Sequence, residues 1–116
     1  MRYSLTIEIV NIMIIAMDIV EIFKALANDK RLEILQWLKE PEKHFDTTNE
    51  KLMLRGGVCV GDIQTKSGLS QSTISQYLSM MQKAELLESV RNGKWTYYRR
   101  NEETLAKLAS FIGQKL

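Results

Sequence analysis

Cysteine, proline and histidine are nearly absent from this sequence: each occurs once, at Cys59, Pro41 and His44. A lone cysteine excludes an internal disulfide and fits a reducing cytoplasm. One cysteine with one histidine excludes, within one chain, the nitrogen and sulfur ligand sets of the usual metal sites. The chain also lacks a Gly-rich phosphate loop, a nucleophile elbow and a carboxylate–histidine cluster. The adjacent acids Glu102 and Glu103 are explained by a helix start. No catalytic machinery or cofactor motif is left, so an enzyme is not expected. At 116 residues there is no room for a catalytic domain beside a regulatory one. Repeats and low-complexity tracts are absent, and 45% apolar with 26% charged residues are ordinary globular values.

No hydrophobic run is long enough to cross a bilayer, which takes about 20 residues. Residues 5–17, LTIEIVNIMIIAM, come nearest, broken by Glu8 and Asn11 and closed by Asp18. The segment lacks the basic start and small-residue cleavage site of a signal peptide. It is apolar nearly all round, more than one small core covers, so a second subunit is a natural place to bury it. Charge is unevenly spread: residues 1–63 carry a net −2 and residues 64–100 a net +4. A basic segment inside a near-neutral chain points to an anionic partner, nucleic acid first.

Ile19, Ile22, Phe23 and Leu26 share one helical face. Asn28-Asp29 interrupts, and Asp29 is expected to cap a helix carrying Leu32, Ile34, Leu35 and Leu38, ended by Pro41. Residues 40–57 form a polar connection, within which LMLR suggests a turn of helix. A short helix follows near Val60–Lys66. Gly68 suits a turn with positive φ, and Ser70 is an N-cap for a helix from Gln71 to about Ala84. Ile74, Leu78 and Met81 mark its inner face; Gln71, Ser72, Ser75, Gln76 and Ser79 lie off it. Tyr77 has two readings, a DNA contact or a packing residue. Helix, Gly-containing turn and second helix with a polar outer face make a helix-turn-helix. Two β-rich runs then meet across Asn92-Gly93, the strongest short hairpin signal, with Arg91 and Lys94 flanking a type I′ turn. Trp95, Tyr97 and Tyr98 alternate along the second strand. Asn101 caps a last helix with an apolar stripe of Leu105, Leu108, Ala109 and Ile112.

Helix-turn-helix plus basic hairpin is a winged helix: the second helix fits the major groove and the hairpin's cations meet phosphate. The stretches ALANDKRLEIL, LSQSTISQYL and VRNGKWTYYR resemble ArsR-type bacterial repressors over about residues 18–112. The resemblance implies a cytoplasmic homodimer built on its terminal segments (1–17 and 101–116), which represses a promoter until a ligand or modification relieves it. By position it places Gln71, Ser72, Thr73, Ser75 and Gln76 on the recognition helix, and Arg91 and Lys94 on the wing. Two of the family's metal sites are incomplete. Many members carry Leu-Cys-Val-Cys-Asp where this chain has Val58-Cys59-Val60-Gly61-Asp62, and others use Asp and His on the last helix, where residues 101–116 have neither.

The expected fold is therefore mainly α: one winged helix-turn-helix domain over 1–116, with a two-stranded β-hairpin wing and terminal dimerisation helices. The expected function is sequence-specific binding of double-stranded DNA by a homodimeric repressor that reads an inverted repeat. No metal, cofactor or membrane partner is expected, and the inducer is open. A winged-helix module for protein interaction is the competing class, but it would carry hydrophobic or acidic residues where Gln71, Ser72, Ser75 and Gln76 stand. Cys59 has three readings: a small core residue, a redox-reactive thiol, or a lone ligand completed by a partner subunit.

Overall fold

Asp18 starts the first helix, its carboxylate accepting from the Glu21 N–H at 3.1 Å. This computed structural model describes residues 18–46, 53–54 and 57–116, the backbone alone at 53–54. The expected dimerisation segment 1–17 lies outside the described residues. Helix α1, Ile19–Leu26, buries Ile22 and Ala25. Helix α2, Asp29–Lys39, is capped by Asn28 rather than by Asp29: Asn28 is extended, and its Oδ1 accepts from the Arg31 N–H at 3.0 Å. Asp29 thereby enters the first turn, where its charge meets the positive end of the helix dipole. α2 buries Ile34, Leu35, Trp37 and Leu38, whereas Leu32, expected among them, is exposed. Helix α3, Pro41–His44, begins on the proline that ends α2, since proline at a first helical position gives up no hydrogen bond.

The polar connection 40–57 ends in strands, not in a turn of helix. β1, Met53–Leu54, pairs antiparallel with β2, Gly57–Cys59, and β2 pairs with the outer edge of the hairpin. Three apolar residues followed by an arginine have no period that separates helix from strand. What decides it is an open strand edge with unpaired N–H and C=O groups. The hairpin thus sits in a four-stranded sheet of order β1-β2-β4-β3, where β3 is Leu87–Asn92 and β4 is Trp95–Arg100.

Helix α4, Val60–Ser67, ends at Gly68, whose φ of 69° lets its N–H return to the Gln64 and Thr65 carbonyls. Ser70 then caps helix α5, Gln71–Lys83, by accepting from the Thr73 N–H at 3.2 Å. α5 closes in a Schellman motif: Leu86 N–H donates to the Met81 carbonyl and Glu85 N–H to the Gln82 carbonyl, both at 2.9 Å. Leu86 and Met81, fully buried, supply its hydrophobic contact. Glu85 occupies the left-handed position at φ 63°. That conformation costs a non-glycine residue about 1–2 kcal/mol, while glycine loses back about 0.5–1 kcal/mol in unfolded-chain entropy. Glu85→Gly is therefore expected to raise unfolding free energy by about 0.5–1 kcal/mol, read from urea denaturation; a loss of stability would contradict this account.

The hairpin turns one residue later than expected. Asn92 pairs with Trp95 and Arg91 with Thr96, so the two-residue loop is Gly93-Lys94. Positive φ occurs at Gly93 (64°) and not at Lys94, the type II′ pattern rather than type I′. A turn at Asn92-Gly93 would set Arg91 directly opposite Lys94; the observed register avoids that like-charge pair. Asn101 caps helix α6, Glu102–Lys115, accepting from the Thr104 N–H at 3.2 Å. The core joins the helices to the sheet through Ile34, Val58, Ile63, Ile74, Leu78, Met81, Leu86 and Leu87. Each such side chain contributes about 1.5–3 kcal/mol of burial. Leu108 and half-buried Leu105 join this core, so only the outer part of the α6 stripe is left unburied.

Candidate nucleic-acid interface

α5 divides cleanly. Ile74, Leu78 and Met81 face the core; Gln71, Ser72, Ser75, Gln76 and Ser79 face outward, exposed. These are short polar side chains that can donate and accept toward base edges. Thr73 is half-buried, and its hydroxyl accepts from Ser70 Oγ at 2.9 Å, so it belongs partly to the cap. Lys83 follows Ser72, Gln76 and Ser79 on one face at i+11, extending the row by one residue beyond those read from the sequence. That spacing is visible in the sequence.

Tyr77 packs instead of reaching outward. Its ring lies under the Arg31 guanidinium, 4.9 Å from carbon to centroid, and its hydroxyl accepts from Asn28 Nδ2 at 3.4 Å. Arg31, only 8% exposed, is a residue the sequence reading missed. Its Nε donates to the Ala25 carbonyl at 2.6 Å and its Nη2 to the Lys24 carbonyl at 3.1 Å, satisfying the open end of α1.

On the wing, Arg91 and Lys94 are exposed at the tip. Arg91 Nε donates to the Gly93 carbonyl at 3.2 Å, and Lys94 Nζ stands 5.2 Å from the Trp95 ring centre. Three other cations of 64–100 are engaged within the chain. Arg99 pairs with Glu88 and Arg100 with Glu102, at 2.8 and 3.0 Å. Lys66 lies over Trp37 and Phe45, 5.1 and 5.8 Å from the ring centres. Among the described residues Lys83, Arg91 and Lys94 make no ion pair, which leaves them for an outside anion. Gln82 Nε2 donates to Ser89 Oγ at 2.9 Å and ties α5 to the wing.

The comparisons with known proteins agree with this geometry. Residues 51–89 match the model of bacterial regulatory proteins of the arsR family. The uncharacterized HTH-type transcriptional regulator YbzH of Bacillus subtilis is 50% identical over 96 residues, 83% of this chain and 96% of that protein. The arsenical resistance operon repressor of Bacillus subtilis is 34% identical over 88 residues, 76% of this chain and 70% of that protein.

The chain belongs to the arsR family.

It is a DNA-binding transcriptional regulator with a winged helix-turn-helix fold. Among solved structures, a homodimeric winged helix-turn-helix DNA-binding domain from Mycobacterium bovis is 29% identical with a TM-score of 0.59, covering 82% of this chain and 74% of that one. NolR from Sinorhizobium fredii is 29% identical with a TM-score of 0.57, covering 82% and 80%. α4 and α5 are thus the helix-turn-helix of this family member, α5 its recognition helix and β3–β4 its wing.

Cys59 ends β2 directly opposite Tyr97 and is 3% exposed. Burial, with a smaller contribution from Cys59, holds the Tyr97 hydroxyl above its ordinary value of 10.0. Gly61, at the place of the second thiolate in metal-sensing members, is not required by packing: a Cβ there would meet nothing within 4 Å. Nearby Asp62 has a buried Oδ2 without a hydrogen-bond partner among the described residues, and burial followed by the charge of Asp46 raises its carboxyl above 3.8. Among the described residues no group of three or more His, Cys, Asp and Glu is arranged to hold a metal ion, and no helix is long and apolar enough to cross a membrane.

Proposed function

We propose that this arsR-family protein represses transcription as a cytoplasmic homodimer that reads an inverted repeat. The observation that supports the reading is the exposed polar row of α5 standing beside a wing whose Arg91 and Lys94 are exposed and make no ion pair among the described residues. In this reading Gln71, Ser72, Ser75 and Gln76 meet base edges, Thr73 holds the cap and a phosphate, and Arg91 and Lys94 anchor the wing on the backbone. Dimerisation is supported by an apolar surface on α1 and α6, where Val20, Phe23 and Ile112 are exposed and the Phe23 and Phe111 rings lie 6.5 Å apart. Of the other residues expected in that contact, Leu108 is buried in the chain's own core and Leu105 is half-buried against it.

Selection of bound duplexes from a random pool, followed by footprinting, tests this. The expected product is an inverted repeat whose half-site centres lie about 34 Å apart, one turn of DNA. Enrichment of a single half-site, or of nothing, would overturn it.

Cys59 serves packing in this reading. Reactive thiols are partly exposed and flanked by cations, whereas this one is buried. Cys59→Ser is expected to cost about 1–3 kcal/mol of stability by burying a hydroxyl, with operator affinity per folded dimer unchanged. Peroxide should release DNA no better from the wild type than from the variant. A Cys59-dependent oxidant response would restore the redox reading.

A further inference from the structure

We infer that Tyr77 is a positioning residue that sets which half-site spacing the dimer accepts, by locking the recognition helix to the helix that carries the dimer face. This rests on the homodimer and inverted-repeat reading above. Three contacts make the lock. Arg31 is held on the last carbonyls of α1, through Ala25 at 2.6 Å and Lys24 at 3.1 Å. The same guanidinium covers the Tyr77 ring at 4.9 Å. Asn28, which caps α2 through its Oδ1, uses its Nδ2 to donate to the Tyr77 hydroxyl at 3.4 Å. One side chain of α5 is therefore gripped from the corner between α1 and α2.

The position of that corner gives the lock its consequence. α1 carries exposed Val20 and Phe23, the surface assigned to the two-fold contact. α5 carries the polar row assigned to DNA. Any play between α1 and α5 appears twice, once per protomer, as play between the two reading heads. Adding one base pair between half-sites moves them about 3.4 Å apart and turns them about 34° about the DNA axis. A stiff joint refuses that change; a loose one absorbs half of it in each protomer. Tyr77 contributes through a half-buried ring and lies off the outward row, so it acts without touching a base.

The weight of the contact is in the ring. A hydrogen bond at 3.4 Å is long, whereas a guanidinium within about 6 Å of a ring centre is attracted to its face. Tyr77→Phe should therefore behave as the wild type, and Tyr77→Leu should not.

The test measures binding of wild type, Tyr77→Phe, Tyr77→Leu and Tyr77→Met to the selected operator. The same proteins are then titrated with operators whose half-site spacing is lengthened or shortened by one base pair, and with operators carrying one base change per half-site. Thermal melts confirm folding, and having two apolar replacements guards against one that fails to fold. In the wild type and Tyr77→Phe a spacing change is expected to cost about 100-fold in affinity. In Tyr77→Leu and Tyr77→Met that penalty falls to about tenfold or less, with base preference unchanged; the penalties are sized on the cost of a mismatched site. Wild-type spacing discrimination in both apolar variants overturns the lock while leaving the inverted-repeat reading intact. Altered base preference overturns it in favour of direct contact by Tyr77. Absence of any spacing preference in the wild type overturns both the lock and the inverted repeat.

Discussion

Ile112→Glu is expected to convert the protein to a monomer at tens of micromolar and to weaken operator binding by at least about 100-fold. Ile112 lies 45% exposed on α6, and Val20 on α1 is 62% exposed. Phe23 and Phe111 bridge the two helices between them. A two-fold interface uses the same patch on both subunits, so one substitution places two carboxylates in the contact, each removed from water against an apolar surface. The cost within the monomer is small because the side chain is already solvated. The cost to DNA binding is large because a monomer engages one half-site. Specific complexes are typically 10³–10⁷ tighter than non-specific ones, and losing half the contacts removes much of that margin. Sedimentation velocity and fluorescence anisotropy on the same preparation read both effects, with Val20→Glu as a second variant. A dimer that survives both substitutions and still binds its operator would place the contact elsewhere.

What the sequence made legible was the local chemistry. Gly68, Ser70 and Asn101 were readable because each acts on backbone groups within four residues of itself, and each holds the geometry its residue type implies. The polar row of α5 was readable because its inner face repeats at helical spacing. What was not legible is set by partners distant in sequence. The turn slipped by one residue because register is fixed by cross-strand neighbours, Val90 against Tyr97 and Cys59 against Tyr97, and not by the Asn-Gly pair alone. The strands β1 and β2 exist because β4 offers an edge, which no pattern inside residues 52–59 records. Arg31 reads as a solvated charge in its own helix; only the fold brings the α1 carbonyls within its reach. The basic segment is offset from outside for the same reason: Glu102, at the start of α6, engages its Arg100. The part of the site that determines recognition was therefore visible in the residue types, and the part that orients it was not.

That division predicts opposite signatures for the recognition helix and the wing. Gln76→Ala and Ser75→Ala should change which sequence is preferred. A well-made side-chain contact with a base contributes about 1–3 kcal/mol of discrimination, and a two-fold operator presents it twice, so about 2–6 kcal/mol is at stake for a residue that contributes fully. Gln76, with a donor and an acceptor on one amide, is the larger of the two. Arg91→Ala should instead weaken all sequences alike. Each phosphate contact releases about 0.9 of a counterion on B-DNA, so losing one per protomer should make the slope of log affinity against log salt shallower by about two units per dimer. Lys94 gives a useful internal control. It stands in the loop rather than in the strand, and its amine hovers over Trp95, so Lys94→Ala should reproduce the salt effect of Arg91→Ala without altering the hairpin register. Anisotropy titrations of the selected operator and its single-base variants, run between about 50 and 200 mM salt, separate the two signatures. If Arg91→Ala lowers specificity as much as affinity, the wing reads sequence and the assignment of roles is wrong. If Gln76→Ala leaves base preference untouched, the outward row of α5 does not lie on base edges.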